Sequence, residues 1–422
     1  MPFTSLVKPR LAEIITSRGL QNARRGLHDL GRRARGTQHE VHYFHDASDP
    51  YCALIAQILP AFEARYDTAL RPHLISGPPS EAVPDPKAHR ENALKDASRL
   101  AQKLGLDSPK ADGVAPEVNA RLAAHFGDPD FSQHLKAISA AQWAGRDLPA
   151  GKQSDPTASL RAGDQELRTM GHYLGGMFYY GGEWYGGVDR LHYLEDRLQN
   201  AGLGTGPLLV PPPELVFDRQ GDTPKTLEFF FSFRSPYSYL AFDRVQHLAD
   251  QHKAELILRP VLPMLMRGLP VPKAKSRYIL RDCTREARRL GIPFGRICDP
   301  LGAGVERGYA LFDYAESDGR MATFCSAFMR SVWSEGADAA SDRGLSHIVR
   351  AAGLDWAKAR DELKSQTWLR RVEQNQNRLQ DVGLWGVPSF HVDGQSIWGQ
   401  DRLWAVADLL GTESKQALPG FG

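Results

Sequence analysis

The stretch S-F-R-S-P-Y-S-Y-L-A-F (residues 232–242) follows directly on the apolar run T-L-E-F-F-F (226–231). An apolar strand that breaks at Ser-Pro reads as the start of a helix, because Ser is a favoured N-cap and Pro a favoured first helical residue. A helix N-terminus gathers free N–H groups at the positive end of the macrodipole and so holds an anion. A thiolate placed there has its pKa lowered. The hydroxyl of Ser235 can donate a hydrogen bond to such a sulfur, but it cannot form a disulfide. The residues therefore leave two readings, a plain cap or a cap that also serves a thiol brought from outside. Arg234 either raises the local positive potential or faces solvent.

An earlier stretch has the same outline. V-H-Y-F-H-D-A-S-D-P-Y-C-A-L-I-A (41–56) runs from an apolar strand through x-Pro-Tyr into an apolar helix. Setting Pro50 on Pro236 puts Tyr51 on Tyr237, Cys52 on Ser238 and Asp49 on Ser235. Cys52 reads either as a buried helix cysteine or as a lone peroxide or mixed-disulfide site. The closing segments also align without a gap: G-G-M-F-Y-Y-G-G-E-W-Y-G-G-V-D-R-L (175–191) with V-P-S-F-H-V-D-G-Q-S-I-W-G-Q-D-R-L (387–403). Gly176 then stands on Pro388, Phe178 on Phe390, and the two Asp-Arg-Leu triplets coincide. Two landmarks repeated in the same order point to one fold present twice, with different chemistry in each copy.

The elements that must position these residues follow from pattern. In the second half we expect a strand at 227–233, a helix at 236–250 and a strand at 255–260. A helical section follows, in which Tyr278, Ile279, Cys283, Ala287 and Leu290 share one side before Gly291 and Pro293 stop it. Further helical pattern at 324–333 and 354–378 leads to S-F-H-V-D-G-Q-S-I-W, whose Asp-Gly is a hairpin signal. A final helix is expected at 402–410. The first half repeats the plan, with its insertion between about 85 and 168. The fold class is thus α/β, two thioredoxin-like domains each carrying a helical insertion. The organisation reads as a basic N-terminal helical extension (1–40), a degenerate first domain (41–205), a Pro-rich linker (206–225), a second domain with the active site (226–411) and a short tail (412–422).

Composition narrows the classes. The chain has 422 residues, 52 Lys and Arg against 50 Asp and Glu, and a formal charge of +2, which argues against a dedicated nucleic-acid binder. The basic excess sits in residues 1–40, eight Lys and Arg against three Asp and Glu. That segment lacks a secretory h-region and reads as a solvated helix, an organelle-type presequence or a surface-docking arm. No run is long enough for a membrane span. The four cysteines form no C-x-x-C and no paired zinc spacing, which suits a reducing, cytoplasmic setting and disfavours a dithiol oxidase. The fourteen His are scattered without H-x-x-x-H, so no metal site is expected.

F-S-F-R-S-P-Y-S-Y-L-A, R-P-V-L (259–262), Y-I-L-R-D…A-R-R-L-G-I-P-F (278–294) and G-V-P-S-F…D-G…W-G-Q-D-R-L (386–403) together resemble the DsbA-like thioredoxin superfamily. The likeness is greatest to its glutathione-using branch, 2-hydroxychromene-2-carboxylate isomerase and kappa-class glutathione transferase, and it covers nearly all of 226–411. The resemblance implies that Ser235 occupies the place of the first redox cysteine of DsbA and holds the glutathione thiolate. It further implies that Pro388 is a cis-proline whose preceding residue, Val387, pairs with the tripeptide through its backbone, and that Gln400 and Asp401 meet the γ-glutamyl end. The residues alone leave Asp401 equally readable as a helix cap. The chain departs from the family after R-P-V-L, where P-M-L-M-R-G-L-P-V-P-K is shorter and lacks the family's Asn.

The function so implied is a glutathione-dependent isomerase or transferase acting on a small aromatic or unsaturated compound, in a monomer or homodimer. Two alternatives remain at this level: a non-catalytic binding protein in which both copies have lost C-x-x-C, and a thiol–disulfide oxidoreductase working through single cysteines. Tyr237 and Trp398 are readable as an acceptor-pocket lining or as core, and Cys283 as core.

Overall fold

The computed structural model describes residues 4–80, 82–83, 85–110, 115, 117–215 and 224–411. The linker expected at 206–225 lies outside the described residues at 216–223, and so does the tail at 412–422. The described residues group into two bodies. One comprises the described residues of 22–213 with 272–278; the other comprises those of 4–21, 214–271 and 279–411.

In the first body, strand β1 (Glu40–His45) pairs in parallel with β2 (Ala69–Leu74) and antiparallel with β3 (Met177–Tyr180), which pairs with β4 (Glu183–Gly186). In the second, β5 (Thr226–Phe231) pairs in parallel with β6 (Glu255–Pro260) and antiparallel with β7 (Ser389–Val392), which pairs with β8 (Gln395–Trp398). The strand orders, β2-β1-β3-β4 and β6-β5-β7-β8, are the same. Each parallel pair is joined by one helix, Pro50–Arg65 or Pro236–Gln251, as a βαβ crossover requires.

The correspondence extends to single residues. The opening elements of the two bodies stand 186 positions apart at every boundary (40 to 226, 50 to 236, 69 to 255). The closing hairpins and the short 3-10 turns after them, Val188–Arg190 and Gln400–Arg402, stand 212 apart (177 to 389, 183 to 395, 188 to 400). The helical insertion of the second body is thus the longer by 26 residues (212 − 186), and the two frames are otherwise in step.

Strand β5 shows why the sequence folds this way. It is buried along almost its whole length, and its residues alternate between two cores. Phe229 packs on Phe390 and Phe242, while Phe230 meets Val261, Leu379 and Leu384. The expected strand at 227–233 ends early, at Phe231. The chain turns there, with Ser235 N–H bonded to the Ser232 carbonyl at 2.9 Å. Phe233 leaves the sheet to stack on Phe328 of the helical insertion at 3.9 Å. The final helix likewise starts later than the pattern suggested, at Leu403, because 400–402 form the 3-10 turn.

The basic extension forms two helices, Thr4–Thr16 and Arg18–Ala34. No helix among the described residues is long and apolar enough to cross a membrane.

Candidate functional site

Ser235 is the N-cap of the helix Pro236–Gln251, with extended backbone (φ −94°, ψ 111°) and Pro236 as the first helical residue. Its Oγ accepts from Ser238 N–H at 3.1 Å, which fixes the side chain over the helix end. The same hydroxyl donates to the Val387 carbonyl at 3.4 Å, a long and weak bond. The Val387–Pro388 peptide is cis. The fold therefore brings Ser235, Val387 and Pro388 together from positions about 150 residues apart in the chain. A hydroxyl held by an acceptor contact and bound only loosely as a donor can turn its proton towards an arriving anion.

Gln400 and Asp401 have separate surroundings. The Gln400 side chain is buried, its amide N–H donating to Glu286 Oε2 at 2.7 Å and its Oε1 accepting from Arg244 at 2.8 Å. Arg289 lies 3.1 Å from that same Glu286 Oε2. Burial, reinforced by Arg289, lowers the Arg244 guanidinium to about 10. Gln400 is thus spent inside an Arg244–Gln400–Glu286–Arg289 network. Asp401 is partly exposed, with Arg402 at 3.7 Å. Gly399, at φ +115°, lets the chain turn between β8 and these residues; a Cβ there would meet Asp401 Oδ1 at 2.6 Å.

Arg234, next to the cap, faces Asp299 with two nitrogens within 2.9 Å of its carboxylate, so its charge is balanced locally. Trp398, half-buried, packs edge-on against Trp385 at 4.7 Å and against the cluster of Phe230, Val261, Leu379 and Leu384. Tyr237 donates to Asp282 at 2.8 Å, and Arg285 lies 3.3 Å from that buried carboxylate. Pattern reading passed over this pair and the Arg244–Glu286 network. One signal was available for the pair: Tyr51 donates to Asp96 at 2.7 Å in the first body, and both pairs span 45 residues.

The equivalent position in the first body is different. Asp49 caps the helix Pro50–Arg65, its Oδ1 accepting from Tyr51 N–H at 2.9 Å. Burial and the neighbouring Asp46 push the Asp49 carboxyl up to about 7. Cys52 is fully buried, with its Sγ 3.9 Å from Asp49 Oδ2. Its thiol is pushed well above its usual range by burial and by Asp49 and Asp46. Cys52 holds the place of Ser238: Asp46 N–H points at Cys52 Sγ as Ser232 N–H points at Ser238 Oγ, both at 3.4 Å. Gly176, at φ +66°, holds the place of Pro388; Gly187 N–H bonds its carbonyl as Gly399 N–H bonds that of Pro388. Proline cannot adopt that φ.

One cluster among the described residues brings ligand-type atoms within 4.8 Å of one another: His125, Asp128 and His134. The two imidazoles are stacked at 3.7 Å, and each already has a carboxylate partner, Asp128 for His125 at 3.0 Å and Asp130 for His134 at 3.3 Å.

Comparison with known proteins places the second half. The DSBA-like thioredoxin domain family matches residues 226–411. The chain is 26% identical over 204 residues to 2-hydroxychromene-2-carboxylate isomerase of Pseudomonas putida, covering 45% of this chain and 96% of that protein. It is 25% identical over 221 residues to glutathione S-transferase kappa 1 of Rattus norvegicus, covering 47% and 96%. Among solved structures, a 2-hydroxychromene-2-carboxylate isomerase is similar over 44% of this chain and 94% of its own, at 24% identity and a TM-score of 0.39. Residues 226–411 thus match the DSBA-like thioredoxin domain family, and they carry the strand order β6-β5-β7-β8 and the capped helix described above.

Proposed function

We propose that residues 226–411 carry a glutathione-dependent isomerase or transferase site for a small aromatic or unsaturated compound, with Ser235 stabilising the thiolate. The observation that supports this most directly is the Ser235 hydroxyl. Its oxygen is fixed by Ser238 N–H and its proton is only weakly held by the Val387 carbonyl, at the N-terminus of a helix. The naming of relatives as an isomerase and a kappa transferase supports the same reading.

A bound thiol would supply a nucleophile able to add to an electron-poor carbon. The residues of this chain do the rest. The helix end and the Ser235 O–H lower the thiol's pKa by favouring its charged form. The Val387 backbone, just before β7, would offer its polar groups to a peptide-like ligand. Asp401 is the acidic side chain with access to solvent that suits an ammonium group, whereas Gln400 positions the turn through its buried network. We read 41–205 and 226–411 as two copies of one domain, the first without this site because Asp49 and Gly176 replace Ser235 and Pro388. Cys52, buried and held as a thiol, plays no redox part in this reading.

Calorimetric titration of glutathione into the wild type and Ser235→Ala tests it. Binding with proton release in the wild type, weakened and without proton release in the variant, is the expected result. No heat in either protein rejects the glutathione reading, and binding without turnover of any conjugated acceptor would favour a non-catalytic role.

A further inference from the structure

The helix Arg18–Ala34 is amphipathic, but its apolar face points outward. None of its residues is buried. Leu27 is 69% and Leu30 65% exposed, and Ala23 and Ala34 are exposed as well. At 100° per residue, Leu20, Ala23, Leu27, Leu30 and Ala34 fall on one stripe. Arg24 lies along one edge of that stripe and Arg33 along the other, both exposed. The opposite side of the helix is polar and faces protein: Arg25 pairs with Glu183 at 2.6 Å, and His28 packs edge-on against Tyr180 at 6.3 Å.

The preceding helix, Thr4–Thr16, repeats the pattern. Leu11, Ile14 and Ile15 are exposed at 54%, 58% and 41%, with Lys8 and Arg10 exposed nearby. These two helices hold five of the nine large apolar side chains that are exposed among the described residues. They also hold most of the basic excess: residues 1–40 carry +5 (eight minus three), so the rest of the chain carries −3 to give the total of +2.

Apolar side chains turned to solvent beside a row of arginines need an occupant that is apolar in its depth and negative at its surface. A bilayer containing anionic lipid has both properties at the right spacing for a helix lying in its plane. We propose that the Leu27–Leu30 stripe, edged by Arg24 and Arg33, docks this protein on an anionic lipid surface. The helix lies on the bilayer without crossing it. Leu27 and Leu30 enter the acyl boundary while the arginines meet phosphate. The inference is independent of the thiol site.

Flotation of the full-length chain with vesicles tests it, using phosphatidylcholine alone and phosphatidylcholine mixed with the anionic lipid phosphatidylglycerol. Binding is expected to the anionic vesicles, to weaken at high salt, and to fall about tenfold or more in Leu27→Asp/Leu30→Asp. Arg24→Gln/Arg33→Gln should weaken binding with smaller effect. Both variants should melt as the wild type does, since these side chains touch no core. Equal binding to neutral vesicles, or no binding at all, overturns the proposal. Sedimentation velocity adds a third outcome: a wild-type dimer that becomes monomeric in Leu27→Asp/Leu30→Asp would assign the stripe to a second copy of the chain and overturn it too.

Discussion

The Tyr237 hydroxyl donates to the buried carboxylate of Asp282 at 2.8 Å, and Tyr51 and Asp96 make the same bond at 2.7 Å in the other body. An arginine three residues beyond each aspartate completes both arrangements, Arg285 at 3.3 Å and Arg99 at 3.8 Å. A bond kept in both bodies, including the one without Ser235, is a structural tie between the capped helix and the insertion. Tyr237→Phe and Tyr51→Phe should therefore each destabilise by about 1–2 kcal/mol, and by similar amounts. Chemical denaturation measures this. A large loss of activity in Tyr237→Phe with unchanged stability would instead put Tyr237 in the substrate site.

Ser235 has two separable duties. Ser235→Ala removes the cap and the O–H together, costing about 1 kcal/mol of stability. Ser235→Gly should restore most of that stability, because Gly is tolerated at N-caps, yet leave glutathione binding weakened about tenfold or more. Melting and calorimetry on the two variants separate capping from thiolate stabilisation; recovery of binding in Ser235→Gly would count against a role for the hydroxyl.

Asp49 gives the first body a pH dependence of definite sign. Its carboxyl has an ordinary value of 3.8 and is pushed up to about 7 in the fold. Between those values the folded chain binds more protons than the unfolded chain, so this group's contribution falls as pH rises from about 4 through 7. Asp49→Asn keeps a capping oxygen and removes the charge. It should stabilise the protein on the order of 1 kcal/mol at pH 8 and have little effect at pH 4, as read by denaturation at the two pH values.

The cysteines should differ in reactivity. Cys52, Cys283 and Cys325 are fully buried, whereas Cys298 is half-buried with its thiol raised to about 11. Native alkylation at pH 8 should modify Cys298 first and leave Cys52 until the chain unfolds, and Cys52→Ser should leave any thiol-dependent activity intact. Rapid labelling of Cys52 would reopen a redox role for it.

Much of the frame was legible because it rests on local rules. Ser235-Pro236 names a helix start from two residues, and the 186-position step between the two openings follows from setting Pro50 on Pro236. The fate of Gln400 was not legible. Its buried amide is decided by Glu286, more than a hundred residues away on a helix of the insertion, and no period or cap signal carries that pairing. Arg234 is similar, its partner Asp299 lying in a loop that local pattern does not place. Trp398 was ambiguous between pocket and core because alternation fixes the side of a strand and leaves open what covers it; Trp385 covers it.

The carboxylate at position 49 has a last consequence. It hangs from the N-cap of its own helix, accepting from Tyr51 N–H at 2.9 Å. A group tethered by two bonds competes there at an effective concentration set by its own tether. In our reading the helix end of the first body is under intramolecular competition from its own side chain, which disfavours an outside anion there without any change of fold.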